Sequence, residues 1–283
     1  LWPFFKVTIA FLYPDFLTGG LIDITDYNNG IKGGKVRARA RIKEHDKSTL
    51  IISDMPYGVT TSQMIDSIIK ANDKGKIRIK RVIDNTAQDV EILVYLAKNQ
   101  SPGITIDALY AFTDCEISIS TNACVIVDDK PKFIGVKDIL KFSADLTKNL
   151  LKKELEIFKK ELMEKILYSN LEKIFIENKI YLNIEDCETW ESVLKTIDKS
   201  LDPHKKNFYR EIKEDDLVKL TEIKIKRISK YDINKSNEYL KKLENDLDKT
   251  QKNLNNLVEY TIQYYYDILN KYGAGNERKT EIT

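Results

Sequence analysis

The chain has 283 residues, 42% hydrophobic and 32% charged, and its 46 basic and 44 acidic side chains leave a formal net charge of only +2. This length and composition exclude a disordered chain and make two domains, each with a buried core, the natural expectation. The balanced charge excludes a uniformly basic nucleic-acid-binding protein, so any contact with a polyanion must come from local patches.

Cysteine and histidine usage argues against a disulfide framework and against a zinc site. The three cysteines, Cys115, Cys124 and Cys187, are scattered and show no CxxC spacing, and there are only two histidines. We therefore expect reduced thiols, no metal site and a cytoplasmic protein.

The first predicted element is the apolar segment Leu1–Tyr13. It is shorter than the ~20 residues that span a bilayer, and it lacks the basic leader and small-residue cleavage site of a signal peptide. We interpret it as a buried strand of a longer chain or as an artificially added segment, and we expect no membrane contact.

An alternating pattern follows from Pro14 to Lys132. Lys35–Ile42 places four cations on one face of a predicted strand and four apolar side chains on the other. Thr49–Ser53 predicts a second strand, and a helix capped by Thr60 or Thr61 is predicted over Ser62–Asn72.

The alternation returns in Ile77–Val82, again with basic side chains on the polar face. Val90–Leu96 and Glu116–Val127 predict further strands, and Ile104–Tyr110 predicts a helix. This half of the chain is therefore predicted to be an α+β domain.

Two long amphipathic segments dominate the second half. Val136–Asn178 and Asn234–Tyr272 keep apolar residues at helical spacing without proline or glycine. The first helix would be about 60 Å long, which exceeds the diameter of a compact domain. We predict an antiparallel coiled-coil hairpin with a small helical tip domain; two helices of one compact bundle is the alternative.

The tip between these helices contains two predicted short helices, Glu185–Ser200 and Glu214–Arg227. Its apolar residues exceed what we expect a small core to need, which predicts a self-associating surface; a closed core is the alternative. The candidate dimer-interface residues are Leu217, Leu220, Ile223, Ile225 and Ile228.

Several short motifs in a fixed order resemble a known family. Together they are similar to the A subunit of bacterial type IIA topoisomerases, and to the topoisomerase IV form of that protein more than to the gyrase form. The motifs are Pro14-Asp15-Phe16, Thr18-Gly19-Gly20, Tyr27-Asn28-Asn29-Gly30, Gly33 to Ala40, Met55-Pro56-Tyr57, Lys70 to Lys76, Asp107 to Tyr110, Ile117 to Ile119, Lys130 to Phe133 and Leu217 to Asn234.

The resemblance implies a domain order that agrees with the periodicity. The expected parts are a non-family-like segment over 1–13, a tower domain over 14–135, a first coiled-coil helix over 136–180, a C-gate tip over 181–233, a returning helix over 234–272 and a tail over 273–283.

The resemblance also implies a division of chemistry. In this family the DNA-cleaving tyrosine follows an arginine in a winged-helix domain that precedes the Pro-Asp-Phe motif, whereas this chain contains no Arg-Tyr dipeptide. We therefore expect no catalytic residue here and an inactive fragment of an ATP-dependent enzyme. Magnesium and ATP are expected on a B subunit, and the implied partners are double-stranded DNA, a second copy of the chain and that B subunit.

The candidate DNA-binding residues come from the two basic strand faces. Each face has a second interpretation as a solvated surface, and the resemblance favours phosphate contact. The candidates are Lys35, Arg37, Arg39, Arg41, Lys76, Arg78 and Lys80. The same region of the gyrase A subunit is the alternative identity, and a coiled-coil DNA-binding structural protein is a more remote one.

Other short signals are better explained by local structure. Gly30, Gly33 and Gly34 are not followed by the Lys-Ser/Thr of a phosphate-binding loop. Asp128-Asp129 and Asp215-Asp216 fit a surface turn and a helix start better than a metal site.

Overall fold

The computed structural model describes residues 12–283, so the strand predicted within Leu1–Tyr13 lies almost wholly outside the described residues. Two compact units are present. Unit 1 contains the described residues up to Asp145 together with Tyr266–Thr283, and unit 2 is Leu146–Tyr265. The mixed α and β composition confirms that part of the predicted fold class, and the coiled-coil hairpin stays a prediction. No helix within residues 12–283 is both long and apolar enough to cross a membrane.

The described strands all lie in unit 1. In chain order they are β1 (Leu21–Asp23), β2 (Lys35–Arg39), β3 (Arg41–Asp46), β4 (Thr49–Asp54), β5 (Ile79–Asp84), β6 (Ile92–Leu96), β7 (Glu116–Ser120), β8 (Cys124–Val127), β9 (Lys130–Phe133) and β10 (Glu281–Ile282).

The described helices begin in unit 1 and continue through unit 2. They are α1 (Thr61–Asp73), α2 (Pro102–Phe112), α3 (Val136–Glu177), α4 (Trp190–Leu201), α5 (Glu214–Thr221), α6 (Ile225–Ser229), α7 (Ile233–Asn255) and α8 (Leu257–Tyr272). Short 3₁₀ turns cover Ile180–Leu182 and Asp202–Asn207.

Unit 1 contains two four-stranded sheets and one hairpin. The first sheet has the order β10-β1-β2-β7, the second has the order β3-β4-β6-β5, and β8 pairs with β9. A core of apolar residues from β4, β6, α1 and α2 includes Leu50, Ile52, Met64, Ile68 and Leu109, each fully buried. Helices therefore cover one face of the second sheet, as expected for an α+β domain.

The predicted strand over Lys35–Ile42 is divided at Ala40. β2 belongs to the first sheet and β3 to the second, and the backbone N–H of buried Ala40 donates to the carbonyl oxygen of Cys115 at 2.8 Å. One alternating segment thus contributes to two sheets, which corrects the prediction of a single strand.

Helix α1 begins where its capping sequence predicts. The Thr60 hydroxyl accepts from the backbone N–H of Gln63, and the Gln63 side chain accepts from the backbone N–H of Thr60. This reciprocal pair satisfies two N–H groups that the helix itself leaves free. The helix predicted over Ser62–Asn72 is confirmed with one extra residue at each end.

Helix α3 runs for 42 residues, which confirms the predicted long helix. The helix predicted over Asn234–Tyr272 is interrupted, because Asn256 leaves helical geometry at φ −114° and ψ 45° and separates α7 from α8. Asparagine is a poor helix former because its amide competes for backbone hydrogen bonds. The Asn256 carbonyl then accepts from the N–H of Tyr260 and starts α8.

Candidate nucleic-acid interface

The first basic face is the polar side of β2, where Lys35, Arg37 and Arg39 are half-buried. Antiparallel pairing places Asp23 of β1 opposite Arg37 and Glu116 of β7 opposite Arg39. Cross-strand partners of opposite charge stand close enough to pair. The register therefore surrounds these cations with carboxylates.

Each cation of this face forms at least one ion pair. Lys35 Nζ lies 3.4 Å from Asp26, and the Arg37 guanidinium lies 3.5 Å from Asp26 and 3.7 Å from Asp23. Arg39 Nε lies 2.5 Å from Glu116, and its NH2 group lies 3.8 Å from Asp23. Hydrogen bonds from Thr25, followed by the charges of the two arginines, lower the pKa of the Asp23 carboxyl, so it remains a carboxylate that neutralises this face.

Arg41 lies on β3 and serves as a link between distant parts of unit 1. Its Nε donates to Asp54 at 2.7 Å, and its NH1 group donates to Glu281 of β10 at 2.7 Å. Hydrogen bonds to Glu281 and then to Asp54 raise the pKa of the Arg41 guanidinium. Arg41 therefore joins β3, β4 and β10, and its charge is already matched by two carboxylates.

The second basic face has a different electrostatic environment. Lys76, Arg78 and Lys80 are all exposed, and within residues 12–283 no carboxylate lies within 4 Å of any of them. Lys76 Nζ lies 5.5 Å from the centre of the Phe112 ring. Both faces show the same alternation in sequence, but only this one presents cations that are free of counter-charges.

A shallow groove of about 490 Å³ adjoins the second face at the end of α1. Lys70, Lys74 and Lys76 line it together with two acidic residues, Asp66 and Asp114. Lys70 was not among the residues predicted to bind DNA. Its spacing of four residues from Lys74 was the available signal, because such residues share a helix face.

The structure corrects the predicted dimer surface in the tip. Leu217 is 7% exposed and Leu220 is fully buried, and both belong to the core of unit 2 with Leu171, Phe175 and Ile197. Ile223 and Ile228 pack partly against the same core. The closed-core alternative therefore holds for the leucines, because α5 turns its apolar side toward α3 and α4. Ile225, 82% exposed, is the one predicted residue that stands clear of that core.

Four other large apolar side chains of the tip are exposed and were not predicted. Leu182 is 45% exposed, Trp190 54%, Tyr209 46% and Ile233 50%. Trp190 is the first residue of α4, directly after the capping residue Thr189. A bulky apolar residue at a helix start, next to a capping Thr, was the signal that could have found it.

Two ion-pair clusters fasten the tip helices to α3. Arg210 donates to Glu164 of α3 at 2.7 Å and to Asp216 of α5 at 2.6 Å, and Arg227 of α6 pairs with Glu172 of α3. Hydrogen bonds from Arg210 and then from Tyr209 lower the pKa of the Glu164 carboxyl to about 2. The tip is therefore tied to α3 by charge as well as by its core.

The two acidic pairs considered as metal ligands lie in a turn and at a helix start, as the sequence predicted. Asp128 and Asp129 form the left-handed turn between β8 and β9, with φ of 53° and 59°. Asp215 and Asp216 lie in the first turn of α5, where their negative charges interact favourably with the positive end of the helix dipole. Within residues 12–283, no group of three or more His, Cys, Asp or Glu side chains is arranged to hold a metal ion.

Comparison with known proteins identifies one family. A model of the family described as the A subunit of DNA gyrase/topoisomerase IV matches residues 5–266. Residues 5–13 fall inside this match, although the first 13 residues were expected to be unlike the family.

Two relatives illustrate the extent of the similarity. The chain is 38% identical over 272 residues, 96% of its length, to the A subunit of DNA topoisomerase 4 from Borreliella burgdorferi. It is 30% identical over 141 residues, 47% of its length, to the A subunit of DNA gyrase from Lawsonia intracellularis. The chain spans 43% of the first relative and 17% of the second.

Proposed function

This chain belongs to the family of DNA gyrase/topoisomerase IV A subunits, and from that membership we propose that it forms the DNA-holding tower and the exit gate of a type IIA topoisomerase. The parent enzyme would pass one duplex through a double-strand break in another. ATP and magnesium would be held by a B subunit. Nucleophilic attack on DNA would belong to a part of the parent subunit outside these 283 residues.

Topoisomerase IV is the favoured member of the family. The similarity to the Borreliella protein is higher and covers twice as much of this chain as the similarity to the Lawsonia gyrase subunit. The same region of the gyrase A subunit is the second candidate. Supercoiling and decatenation assays of the full-length parent subunit with its B subunit would separate the two. Family membership sets aside the remote alternative of a coiled-coil structural protein.

The observation that carries the DNA-holding role is the unpaired charge of the second basic face. Lys76, Arg78 and Lys80 are exposed and have no carboxylate within 4 Å among residues 12–283. Such cations gain free energy from phosphates by releasing condensed counterions. The cations of the first face would first have to leave Asp23, Asp26 and Glu116, and Arg41 would have to leave Asp54 and Glu281. We therefore propose that the second face contacts the duplex backbone and that the first face is structural.

A salt titration of duplex binding tests this assignment. Replacing Lys76, Arg78 and Lys80 together by alanine removes three phosphate contacts, and at about 0.9 per contact the slope of log K against log salt should fall by about 2.7. The triple alanine variant of Arg37, Arg39 and Arg41 should keep the wild-type slope. A third variant, alanine at the exposed Lys241, Lys242 and Lys252 of α7, controls for net charge. A fall in slope in the Arg37 variant and not in the Lys76 variant would reverse the assignment.

The gate role rests on unit 2. We propose that α3 and the α7–α8 pair form an antiparallel coiled coil, supported by buried apolar positions on both sides: Leu151, Leu155 and Leu162 of α3, and Leu240 and Leu243 of α7. Lys173 Nζ of α3 also donates to Asn237 Oδ1 of α7 at 2.6 Å. The tip would then pair with the same surface of a second copy around a two-fold axis.

Sedimentation velocity tests the tip contact. Because burying one isoleucine contributes about 1.5 to 3 kcal/mol, replacing Ile225 by asparagine should weaken dimerisation by roughly tenfold or more. Ile104 of α2, which is 72% exposed, provides the matched control, since its asparagine variant should dimerise normally. A wild-type chain that sediments as a monomer at tens of micromolar would refute the gate.

A further inference from the structure

The tip of unit 2 carries an acidic surface that no internal cation neutralises. Glu185, Asp186, Glu188 and Glu191 are all exposed, and within residues 12–283 none of them lies within 4 Å of a Lys, Arg or His nitrogen. Trp190 stands among them with 54% of its surface exposed. We call these five residues the acidic surface.

The same unit carries a basic counterpart of similar layout. Lys224, Lys226 and Lys230 are exposed and lie farther than 4 Å from every described carboxylate. Ile225, 82% exposed, stands between the first two lysines at the start of α6. Arg227 is excluded from this group because it pairs with Glu172. We call Lys224, Ile225, Lys226 and Lys230 the basic surface.

Each surface therefore offers a large apolar side chain at a helix start, flanked in sequence by exposed charges of one sign, and the two signs are opposite. Within one chain the two surfaces do not form ion pairs with each other among the described residues. A two-fold contact between identical chains brings residue i against residue j and residue j against residue i. Two complementary surfaces on one chain can therefore form two equivalent contacts in a symmetric dimer.

We infer that the acidic surface of one chain docks on the basic surface of a second copy, with Trp190 and Ile225 as the apolar contacts. This inference rests on the proposed gate and adds which surfaces meet there. Opposed charges at the rim of a contact set its register and its salt dependence, while the apolar contacts contribute most of the affinity. A gate held in this way separates more easily as ionic strength rises.

Duplex DNA is the other occupant that a basic surface could attract. DNA binding would give no role to the acidic surface. The four carboxylates of that surface would also repel phosphates approaching the tip. The charge balance therefore favours a second copy of the chain over a nucleic acid. DNA binding remains a separate outcome that the experiment below detects.

A charge-swap pair tests the inference on the 283-residue chain. The first variant, Glu185→Lys with Glu188→Lys and Glu191→Lys, makes both surfaces basic, and the second, Lys224→Glu with Lys226→Glu, makes both acidic. Each variant alone should dimerise at least about tenfold more weakly than wild type, because like charges then face each other. An equimolar mixture should recover much of the wild-type affinity. In the mixed dimer, the reversed acidic surface of the first variant meets the reversed basic surface of the second, and these two have opposite charges. The other contact joins an unchanged basic surface to an unchanged acidic surface.

The control is Lys241→Glu with Lys242→Glu on α7, which changes the net charge by the same amount and in the same direction as the second variant and should leave dimerisation unchanged. Sedimentation of all variants at low and high salt gives the readout. If wild type dimerises and the single variants dimerise equally well, or if the mixture recovers nothing, the inferred pairing is wrong and the gate stands. A monomeric wild type overturns both. Loss of duplex binding in the Lys224 variant with unchanged dimerisation would assign the basic surface to DNA.

Discussion

The C-terminal tail provides the sharpest test of how unit 1 is held together. Thr280 is 2% exposed, and its hydroxyl accepts from the backbone N–H of Phe16 at 2.8 Å and donates to the Phe16 carbonyl at 3.3 Å. Its own N–H donates to Asp15 at 2.8 Å. The tail is thereby fastened to the Pro14-Asp15-Phe16 segment, which lies at the other end of the described chain. We predict that Thr280→Val loosens this attachment.

The expected magnitude follows from these contacts. Valine has nearly the same shape and keeps the backbone bond to Asp15, so the change removes only the hydroxyl and leaves the Phe16 N–H unsatisfied. An unsatisfied buried donor costs about 1 to 3 kcal/mol. The free energy of local opening should fall by that amount, which corresponds to roughly 5- to 150-fold faster hydrogen exchange in the attached segments.

Hydrogen exchange measured by mass spectrometry is the appropriate assay, because two units do not guarantee a single unfolding transition. Peptides covering 14–23 and 279–283 should exchange faster in the variant, while peptides covering β6 should not change. Thr18→Val is the matched control, since Thr18 is exposed and its hydroxyl has no role in the attachment. Equal exchange in wild type and Thr280→Val would refute the idea that this hydroxyl fastens the tail.

Three further predictions concern the remaining sites. Leu220→Ala should lower the free energy of unfolding of unit 2 by about 2 to 5 kcal/mol, because it leaves a cavity in the core. Urea unfolding followed by Trp190 fluorescence measures this change. A loss below about 0.5 kcal/mol, as expected for exposed sites, would contradict the burial of Leu220. The Glu164 pKa is lowered from 4.5 to about 2, so its contribution is complete above pH 4.5 and is lost as the pH falls toward 2; acid titrations should show that Glu164→Gln reduces this loss. Burial raises the pKa of the Cys115 thiol to about 12, so a thiol reagent at neutral pH should label exposed Cys124 first and Cys115 only after unfolding.

Local signals predicted most of the helices and several strands. The Thr60 cap and the apolar spacing behind it located α1 to within one residue at each end, and the long run without proline or glycine predicted α3. These features depend on neighbours within a few turns, which is the range over which capping and periodicity act.

Features that depend on remote partners were not predictable in the same way. The division of the predicted strand at Ala40 depends on the distant Cys115 carbonyl, and the neutralisation of the Arg41 charge depends on Asp54 and Glu281. Periodicity marked Leu220 as apolar, yet it does not distinguish a side chain that packs on its own chain from one that packs on another. The candidate interface therefore moved from Leu220 to residues whose exposure only the fold reveals.

The parallel pairing of β10 with β1 has a consequence for synthesis of the protein. Leu21 of β1 pairs with Glu281 of β10. A ribosome that adds about 5 to 20 residues per second needs roughly 13 to 52 s to synthesise the chain between these two residues. During that time β1 is the unpaired edge of its sheet, and an open edge can recruit a strand from another nascent chain. Only three residues long, β1 offers little backbone for such a wrong pairing. The segment Glu281–Ile282, synthesised long after β1, closes the edge, so a chain that stalls before Thr280 would release a sheet with that edge uncovered.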